Sequence, residues 1–418
     1  MPADPTTRPF GVIEGFYGAP WSLAERLACI DALASWGANT YVWAPKSEPR
    51  HRDAWEEAFT AAEIEGFAAM AARDGRVQVS VGLTPGDGAT VDLVVRKLAP
   101  ALAVTDGAVT LCFDDLPAIE AADHHRDIAN GVAAATGRDV WLVPTHYAGT
   151  VGSPYLGRLH DGLDASVTVM WTGRHVVTPA ITAADVAART AVCGGRAPLV
   201  WDNVPVNDAM MSGHLHISPF VGREPAAAGA SAGWLLNPML SMRASLPTIR
   251  SACAWWHGED ALAAWHEESD AQGLMLLAQA TAYPGDIHWP GDEPSTQWLE
   301  SVAGMDDTGD PDLDPWVESA RRGAVVALAA RSVVAMYRAE TGWAVRAVQG
   351  FGMVGLRDWL QLEARTLGAG PRTRPVFTQT ADGRFAMEAA SLELTESIPE
   401  REVRAALSAM SRAEDDRA

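Results

Sequence analysis

The chain has 418 residues, a formal net charge of −21 at pH 7 and an apolar fraction of 48%. A chain of this length can bury one large core and still leave residues for a second domain. Its acidic surface repels nucleic-acid backbones and anionic lipid, so we expect neither nucleic acid nor a membrane among its partners.

The first part of the chain alternates short apolar segments with segments of helical period, which is typical of parallel strands joined by crossover helices. Between the first two candidate strands, Ser22 and Glu25 form a capping-box pattern before a helix predicted to end at Trp36, ahead of Gly37. Eight strand–helix units in about 255 residues predict an α/β fold of the (β/α)8 TIM-like barrel type. The eight candidate strands begin at Phe10, Asn39, Val77, Val109, Val140, Val167, Pro198 and Gly233.

The alternation stops after a helix predicted from Met242 to Trp256. We therefore predict a barrel domain over residues 1–258, followed by a smaller, mostly α-helical C-terminal domain over residues 259–418. The patterns in the second domain predict a helix at His257–Ala282, a long loop at Tyr283–Trp316, helices at Val317–Trp343, Arg357–Leu367 and Glu400–Met410, a hairpin at Val376–Met387 that turns at Asp382-Gly383, and a frayed end, RAEDDRA.

Polar residues follow most of the predicted barrel strands. Catalytic groups in this fold collect where strands end and the following loops begin, so we expect these residues to converge on one rim. They are Glu14, Gly15, Tyr17, Lys46, Asp114, Asp115, Thr145, His146, Tyr147, Thr172, Asp202, Asn203, Asn207, Asp208 and Asn237.

The adjacent carboxylates Asp114 and Asp115 are the most specific local signal on this rim. Two carboxylates held close together do not both ionise easily, so one should have a raised pKa, which suits a general acid. Neighbouring residues of a regular strand point to opposite faces, and Leu116-Pro117 indicates that the chain turns out of the strand here. The dipeptide alone is more typical of a helix cap or a solvated turn, and the convergence of polar residues around it shifts the balance towards a catalytic pair.

The remaining rim residues offer the mixture that a sugar site needs, with polar groups for hydroxyls and an aromatic wall. Each residue alone has an ordinary alternative as a surface lysine, a turn former or a core aromatic. Their convergence on one rim favours a sugar site. The residues are Lys46, Tyr147, Trp201, Asn203, Asp208 and Asn237.

The residue types that bind metals are not clustered in the sequence. The four cysteines are scattered without a CxxC pair, and we expect buried thiols. Two histidine pairs, His124-His125 and His214-x-His216, lack accompanying ligands. We therefore expect no metal and no cofactor.

The N-terminal segment lacks a basic start followed by an apolar run, and no stretch of about 18 uncharged apolar residues occurs. We therefore expect a cytoplasmic protein with no signal peptide or transmembrane segment.

Seven sequence blocks in the predicted barrel resemble, in order, those of glycoside hydrolase family 84, the β-N-acetylglucosaminidases. One such block would be weak evidence, whereas seven in order are specific. The blocks are GVIEGFYGAPWS (11–22), NTYVWAPKSEPRHR (39–52), FDDLP (113–117), PTHYAGT (144–150), VMWTGR (169–174), VWDNVPVND (200–208) and LLNP (235–238).

The resemblance implies retaining hydrolysis by substrate assistance, in which the substrate's own acetamido oxygen attacks the anomeric carbon and forms an oxazoline. Enzymes of this kind are an exception to the scheme with a carboxylate nucleophile. By the same resemblance, Asp114 orients the acetamido N–H, and Asp115 protonates the leaving oxygen and later activates water. Neither catalytic position is substituted.

The resemblance also implies roles for the other rim residues. It implies that the Gly15 backbone, Lys46, Asp208 and Asn237 grip sugar hydroxyls. It places Tyr147 near the acetamido group and the reacting centre, Asn203 in the polar pocket, and Trp201 in the wall around the N-acetyl group. His146 departs from the family, since many relatives have an acidic residue there.

We therefore predict an exo-acting hydrolase of terminal β-linked N-acetylglucosamine (GlcNAc), with a GlcNAc-containing glycan, glycopeptide or glycoside as its substrate. The alternatives are a non-catalytic GlcNAc-binding barrel and a transglycosylase that uses the same oxazoline. Loss of Asp114 or Asp115 would favour the first, and both are present. A chitinase-like barrel is disfavoured because no DxxDxDxE block occurs at the fourth strand.

Overall fold

The computed structural model describes residues 8–86, 88–115, 121–281, 294–360, 376–388 and 397–415. Its first eight strands form a closed, parallel barrel in chain order, which confirms the predicted fold class. Each strand begins within one residue of its predicted start. The strands are β1 (Phe10–Glu14), β2 (Thr40–Trp43), β3 (Gln78–Leu83), β4 (Val109–Cys112), β5 (Val140–Val143), β6 (Val167–Trp171), β7 (Leu199–Asp202) and β8 (Gly233–Leu236).

A helix follows each barrel strand. The Ser22 side chain caps the first of them by accepting from the Glu25 N–H, while the Glu25 carboxylate accepts from the Ser22 N–H at 2.7 Å, as the capping-box pattern predicts. Gly37 follows the helix with a φ of 77°, where glycine is favoured. The helices are α1 (Leu23–Ser35), α2 (Ala61–Ala71), α3 (Val91–Leu102), α4 (Ala122–Thr136), α5 (Pro154–His160), α6 (Ala183–Val192), α7 (Pro225–Ala230) and α8 (Met242–His257).

The barrel interior is a packed core. Helices cover the outer face of the parallel strands, so strand residues are buried on both faces; all five residues of β1 are buried. Side chains from several strands meet in one apolar cluster that includes Ile13, Val42, Val143 and Leu235. The polar residues that follow the strands are therefore confined to the rim at their carboxyl ends.

Two carboxylates on this rim are buried in ion pairs within the barrel unit. Glu14, at the end of β1, accepts two hydrogen bonds from Arg26 at 2.8 Å and one from the Tyr41 hydroxyl at 2.5 Å. Asp202, at the end of β7, accepts from Arg223 at 2.8 and 2.6 Å and from the Trp234 indole. Both carboxylates are fully buried and paired, so neither is available to a ligand.

The described residues fall into two compact units. One unit comprises those of 1–209, 220–265 and 375–391, and the other those of 210–219, 266–374 and 392–418. The first unit contains the barrel and also the predicted hairpin, which forms from β9 (Phe377–Gln379) and β10 (Phe385–Met387) as an antiparallel pair.

The second unit is helical, and several of its segments differ from prediction. The helix predicted at His257–Ala282 is two helices, because the chain turns at Gly273 with a φ of 67°. The predicted loop at Tyr283–Trp316 contains a helix capped by Ser295, and the helix predicted at Arg357–Leu367 begins instead at Trp343, while residues 361–367 lie outside the described part. From the end of the barrel onwards, the helices are α9 (Ala261–Ala271), α10 (Met275–Thr281), α11 (Thr296–Ala303), α12 (Asp314–Ala339), α13 (Trp343–Leu360) and α14 (Ile398–Asp415).

Helices α12, α13 and α14 share an apolar cluster that includes Ala330, Tyr337, Met353 and Val403. The end that we predicted to be frayed is helical as far as Asp415, and residues 416–418 lie outside the described residues. Across the ranges that the structure describes, no helix is long and apolar enough to cross a membrane.

Candidate active site

The chain leaves β4 through Phe113 and then through Asp114 and Asp115. Because neighbours in a regular strand point to opposite faces, a bend is needed for both carboxylates to serve one site. Asp115 supplies it with a φ of 55°, in the left-handed region, a conformation that costs a non-glycine residue roughly 1–3 kcal/mol. Leu116 and Pro117, on which the predicted turn rests, lie outside the described residues.

Asp114 is buried in an ion pair with Lys46, which follows β2. The Lys46 ammonium donates to both carboxylate oxygens, at 2.8 and 2.6 Å. Burial raises the pKa of Asp114, although the Lys46 charge opposes this effect. Burial is the largest single effect and lowers the pKa of Lys46, but the neighbouring negative groups, led by the Asp114 carboxylate, together leave that pKa raised. The bidentate contact favours the ionised form of both groups.

Asp115 is exposed to solvent and accepts hydrogen bonds from two phenols. The Tyr147 hydroxyl donates to Oδ1 at 2.9 Å, and the Tyr17 hydroxyl donates to Oδ2 at 2.8 Å. Arg52 donates to the Tyr17 hydroxyl at 2.9 Å and to the Asp115 carbonyl at 3.3 Å. Burial and the Asp115 charge raise the pKa of both tyrosines, so both phenols stay protonated as donors and fix the direction of the carboxyl group.

A line of amide groups joins the ends of β1, β7 and β8. The Gly15 N–H is shared between the Ile13 carbonyl at 2.8 Å and the Asn237 Oδ1 at 3.2 Å. Asn237 in turn donates to the Asn203 Oδ1 at 2.9 Å, and the Trp201 indole donates to the same oxygen at 3.0 Å. These bonds set the orientation of both amides and of the indole ring.

Two further contacts reach the carboxylates, one from Trp201 of the amide line and one from Asp208. The Lys46 ammonium lies 5.3 Å from the centre of the Trp201 ring, a favourable cation–π distance. Asp208, in the loop after β7, accepts from the Tyr17 N–H at 2.7 Å, and burial raises its pKa. Tyr17 therefore bridges Asp208 through its backbone and Asp115 through its hydroxyl.

Gly15 lies where no larger residue fits. A Cβ at this position would lie 2.2 Å from the Trp201 ring, and overpacking of this kind costs about 1–3 kcal/mol. We expect Gly15→Ala to displace the Trp201 ring and to lower the free energy of unfolding by about 1–3 kcal/mol. Thermal unfolding would measure the loss, and tryptophan fluorescence would report the displaced ring.

Gly66→Ala is the matched control for this prediction. Gly66 lies inside α2, its added Cβ would meet only the Leu23 side chain at 3.9 Å, and alanine is the better helix former. Unchanged stability and fluorescence for Gly15→Ala, relative to the wild-type protein and Gly66→Ala, would contradict the close packing of Gly15 against Trp201.

The structure brings the nine sequence-predicted site residues together in two groups, which the peptide bond between Asp114 and Asp115 joins. The first group comprises Asp114, Lys46, Trp201, Asn203, Asn237 and Gly15. The second comprises Asp115, Tyr147 and, through Tyr17, Asp208. Sequence reasoning missed the part that Tyr17 and Arg52 play around Asp115. Both lie in the family-like blocks and follow β1 and β2, so their place on the rim was the available signal. Burial raises the pKa of Asp114, the residue expected to orient the acetamido group.

His146 points away from the two carboxylates. Its Nδ1 lies 2.7 Å from the Ser153 hydroxyl, and its ring stacks on Tyr155 at 4.6 Å. Burial, followed by the Arg189 charge, lowers the pKa of His146 to about 4. The side chain is therefore neutral near pH 7.

Among the residues that the structure describes, no group of three or more His, Cys, Asp or Glu could hold a metal ion. The two histidine pairs therefore form no metal site there. His125 stacks on Phe113 at 4.0 Å and lies 2.8 Å from the Tyr155 hydroxyl. The His214 and His216 rings lie 6.3 Å apart.

Comparison with known proteins gives a family match over most of the chain. The profile of the family described as β-N-acetylglucosaminidase (NAGidase) matches residues 10–280. Protein O-GlcNAcase of Rattus norvegicus and that of Mus musculus are each 30% identical to the chain over 272 residues, which covers 59% of the chain and 30% of each relative. The chain thus matches less than a third of the length of these curated relatives.

A solved structure shares the fold. A mutant of the O-GlcNAc hydrolase from Thermobaculum terrenum superimposes with a TM-score of 0.74 over 98% of this chain and 95% of that chain. The two sequences are 20% identical, so this likeness concerns the fold alone.

Proposed function

Because the chain belongs to the β-N-acetylglucosaminidase family of glycoside hydrolases, we propose that it removes terminal β-linked GlcNAc with retention of configuration. The substrate is a GlcNAc-bearing glycan, glycopeptide or glycoside, a choice that the relatives named Protein O-GlcNAcase support. The observation that carries the proposal is the contrast between two adjacent carboxylates. Asp114 is buried and paired with a cation, whereas Asp115 is exposed and held by two phenols.

In the first step, Asp114 must be ionised and Asp115 must be protonated. The acetamido oxygen of the substrate attacks the anomeric carbon, and the bond from that carbon to the leaving oxygen breaks. Asp114, as a carboxylate, accepts the acetamido N–H, orients the amide and stabilises the positive charge that develops on it. Asp115, in its protonated form, gives its proton to the leaving oxygen. Because the N–H proton stays on nitrogen, hydrogen-bonded to Asp114, the products of this step are an oxazolinium ion and the free alcohol.

The second step reverses the proton transfer. Asp115, now a carboxylate, takes a proton from water as the water oxygen attacks the anomeric carbon. The bond between that carbon and the oxazoline oxygen breaks, and the acetamido group is restored. Two inversions at one carbon give net retention. The exposure of Asp115 supports this role because both the leaving group and water must reach it.

The other residues of the network would hold the sugar. Lys46, Asp208 and Asn237 carry donors and acceptors suited to hydroxyl groups. The Gly15 N–H is engaged within the protein, so a backbone contact with a hydroxyl would come from its carbonyl.

The remaining contacts would surround the N-acetyl group. We assign Trp201 to the wall beside the methyl carbon of the substrate's N-acetyl group. Asn203 sets the Trp201 ring through the indole hydrogen bond at 3.0 Å. Tyr147 would donate at the reacting centre, next to Asp115.

The internal nucleophile is tested by weakening it. We expect an aryl β-GlcNAc to be hydrolysed and its kcat/KM to fall progressively as the acetamido methyl is mono-, di- and trifluorinated, because fluorine withdraws charge from the attacking oxygen. The matching aryl β-glucoside, which has no acetamido group, serves as the control and should not be hydrolysed. A flat response to fluorine, or an α-configured first product by NMR, would rule out substrate assistance with retention.

A further inference from the structure

The hairpin β9–β10 docks on the barrel rim next to the candidate active site. Gln379 and Phe385 pair directly across the two strands, so their side chains share one face of the hairpin. Gln379 is buried: its Oε1 accepts from the Ala148 N–H at 2.8 Å, and its Nε2 donates to the Thr145 carbonyl at 2.9 Å. The face that carries Phe385 is therefore turned towards the loop after β5.

Two more contacts fix the hairpin on the rim. The Phe377 carbonyl accepts from the Val176 N–H, in the loop after β6, at 2.9 Å. At the hairpin turn, a Cβ on Gly383 would lie 2.0 Å from the His146 ring, and Gly383 has a φ of 80°. Only glycine allows this approach. The hairpin is thus seated by buried hydrogen bonds and close packing on two barrel loops.

The docked hairpin places the Phe385 ring against Tyr147, which in turn contacts Asp115. The Phe385 ring centre lies 5.8 Å from that of Tyr147, with the rings tilted by 49°. Tyr147 is 7% exposed and donates to Asp115, whereas Phe385 is 47% exposed. Gln379 and the rim hold the ring in place, yet half of its surface is open to a ligand.

We propose that Phe385 is a specificity-determining residue that packs against an apolar or aromatic part of the leaving group. This inference rests on the proposed function, since the proton of Asp115 must reach the leaving oxygen and the leaving group must therefore lie beside Asp115 and Tyr147. An exposed ring next to Tyr147 then lies on the side from which the leaving group reaches Asp115. Aromatic and apolar surfaces associate with such a ring by burying area.

A pair of non-activated ligands separates this contact from sugar binding. Phenyl and methyl 1-thio-β-GlcNAc share the sugar and differ only in the aglycone, and calorimetry would measure their binding to the full-length protein. We expect the wild-type protein to bind the phenyl ligand more tightly, and Phe385→Ala to weaken phenyl binding about tenfold while leaving methyl binding unchanged. Phe385→Leu, which keeps an apolar side chain, should restore part of the preference.

Thr378→Ala is the matched control. Thr378 alternates with Gln379 along β9 and so lies on the opposite face of the hairpin; its substitution should leave both affinities unchanged. A phenyl preference that survives Phe385→Ala, an equal loss for both ligands, or equal wild-type affinities would overturn this inference alone. A wild-type protein that binds neither ligand and hydrolyses no aryl β-GlcNAc would overturn the proposed function itself.

Discussion

Replacing Asp115 with alanine is expected to lower kcat/KM by about 10²–10⁴-fold for GlcNAc glycosides of alkyl alcohols, the range typical of general acid catalysis. The loss should shrink steadily as the leaving group becomes more acidic, because a good leaving phenolate departs without a proton. The structure supports this role through the exposure of Asp115 and through the phenols of Tyr17 and Tyr147, which aim its oxygens. A plot of log kcat/KM against leaving-group pKa should therefore be steeper for the variant than for the wild-type protein.

Tyr17→Phe is the matched control for this measurement. It removes the hydroxyl that donates to Asp115 Oδ2 at 2.8 Å but keeps the carboxyl group and the aromatic ring. We expect a much smaller loss of kcat/KM and little change in the slope of the plot. Equal losses for Asp115→Ala across all leaving groups would assign the proton transfer to another residue.

The barrel could be predicted from the sequence because its signals are local. Buried parallel strands are short, continuous apolar segments, and the helices between them carry caps such as Ser22 with Glu25. The strand boundaries follow from these signals, and with them the positions where the rim residues begin. The order of the strands then brings residues as distant in sequence as Gly15 and Asn237 into contact.

The details of the site depend on contacts that no local pattern encodes. The φ of 55° at Asp115 and the ion pair between Lys46 and Asp114 arise only when the loops after β2 and β4 meet. Glu14 and Asp202 also lie on the polar rim, but their carboxylates are buried in ion pairs with Arg26 and Arg223. A list of polar residues at strand ends does not distinguish these roles.

The second unit was harder to predict because the apolar residues of its helices do not always mark a buried face. Helix α13 is exposed along much of its length, with Trp343 at 83% and Phe351 at 78%, so its apolar residues do not mark one buried face.

The hairpin was predictable from Asp382-Gly383, which is a common turn dipeptide. Its place beside Tyr147 was not, because Gln379 docks on loops more than 200 residues earlier in the chain.

Replacing Asp114 with asparagine is expected to lower kcat by about 10²–10³-fold for good and poor leaving groups alike. The asparagine keeps the shape of the side chain but loses the negative charge that would face the forming oxazoline. The Asp114 and Asp115 variants should therefore differ in kind, since only the Asp115 variant changes the slope against leaving-group pKa. Thermal unfolding would check the fold, because Lys46 is buried and loses the charge of its partner.

The pH dependence of kcat/KM provides an independent test of Asp114. Burial raises the pKa of this carboxyl above the ordinary value of 3.8, and its protonated form cannot accept the acetamido N–H. Activity should therefore fall as the pH decreases through the raised pKa, and this acid limb should vanish in Asp114→Asn. Asp208 is the matched comparison, since burial also raises its pKa. If the limb persists in Asp114→Asn and vanishes in Asp208→Asn, the charge that substrate assistance requires would belong to Asp208. The separate roles proposed for Asp114 and Asp115 would then be wrong.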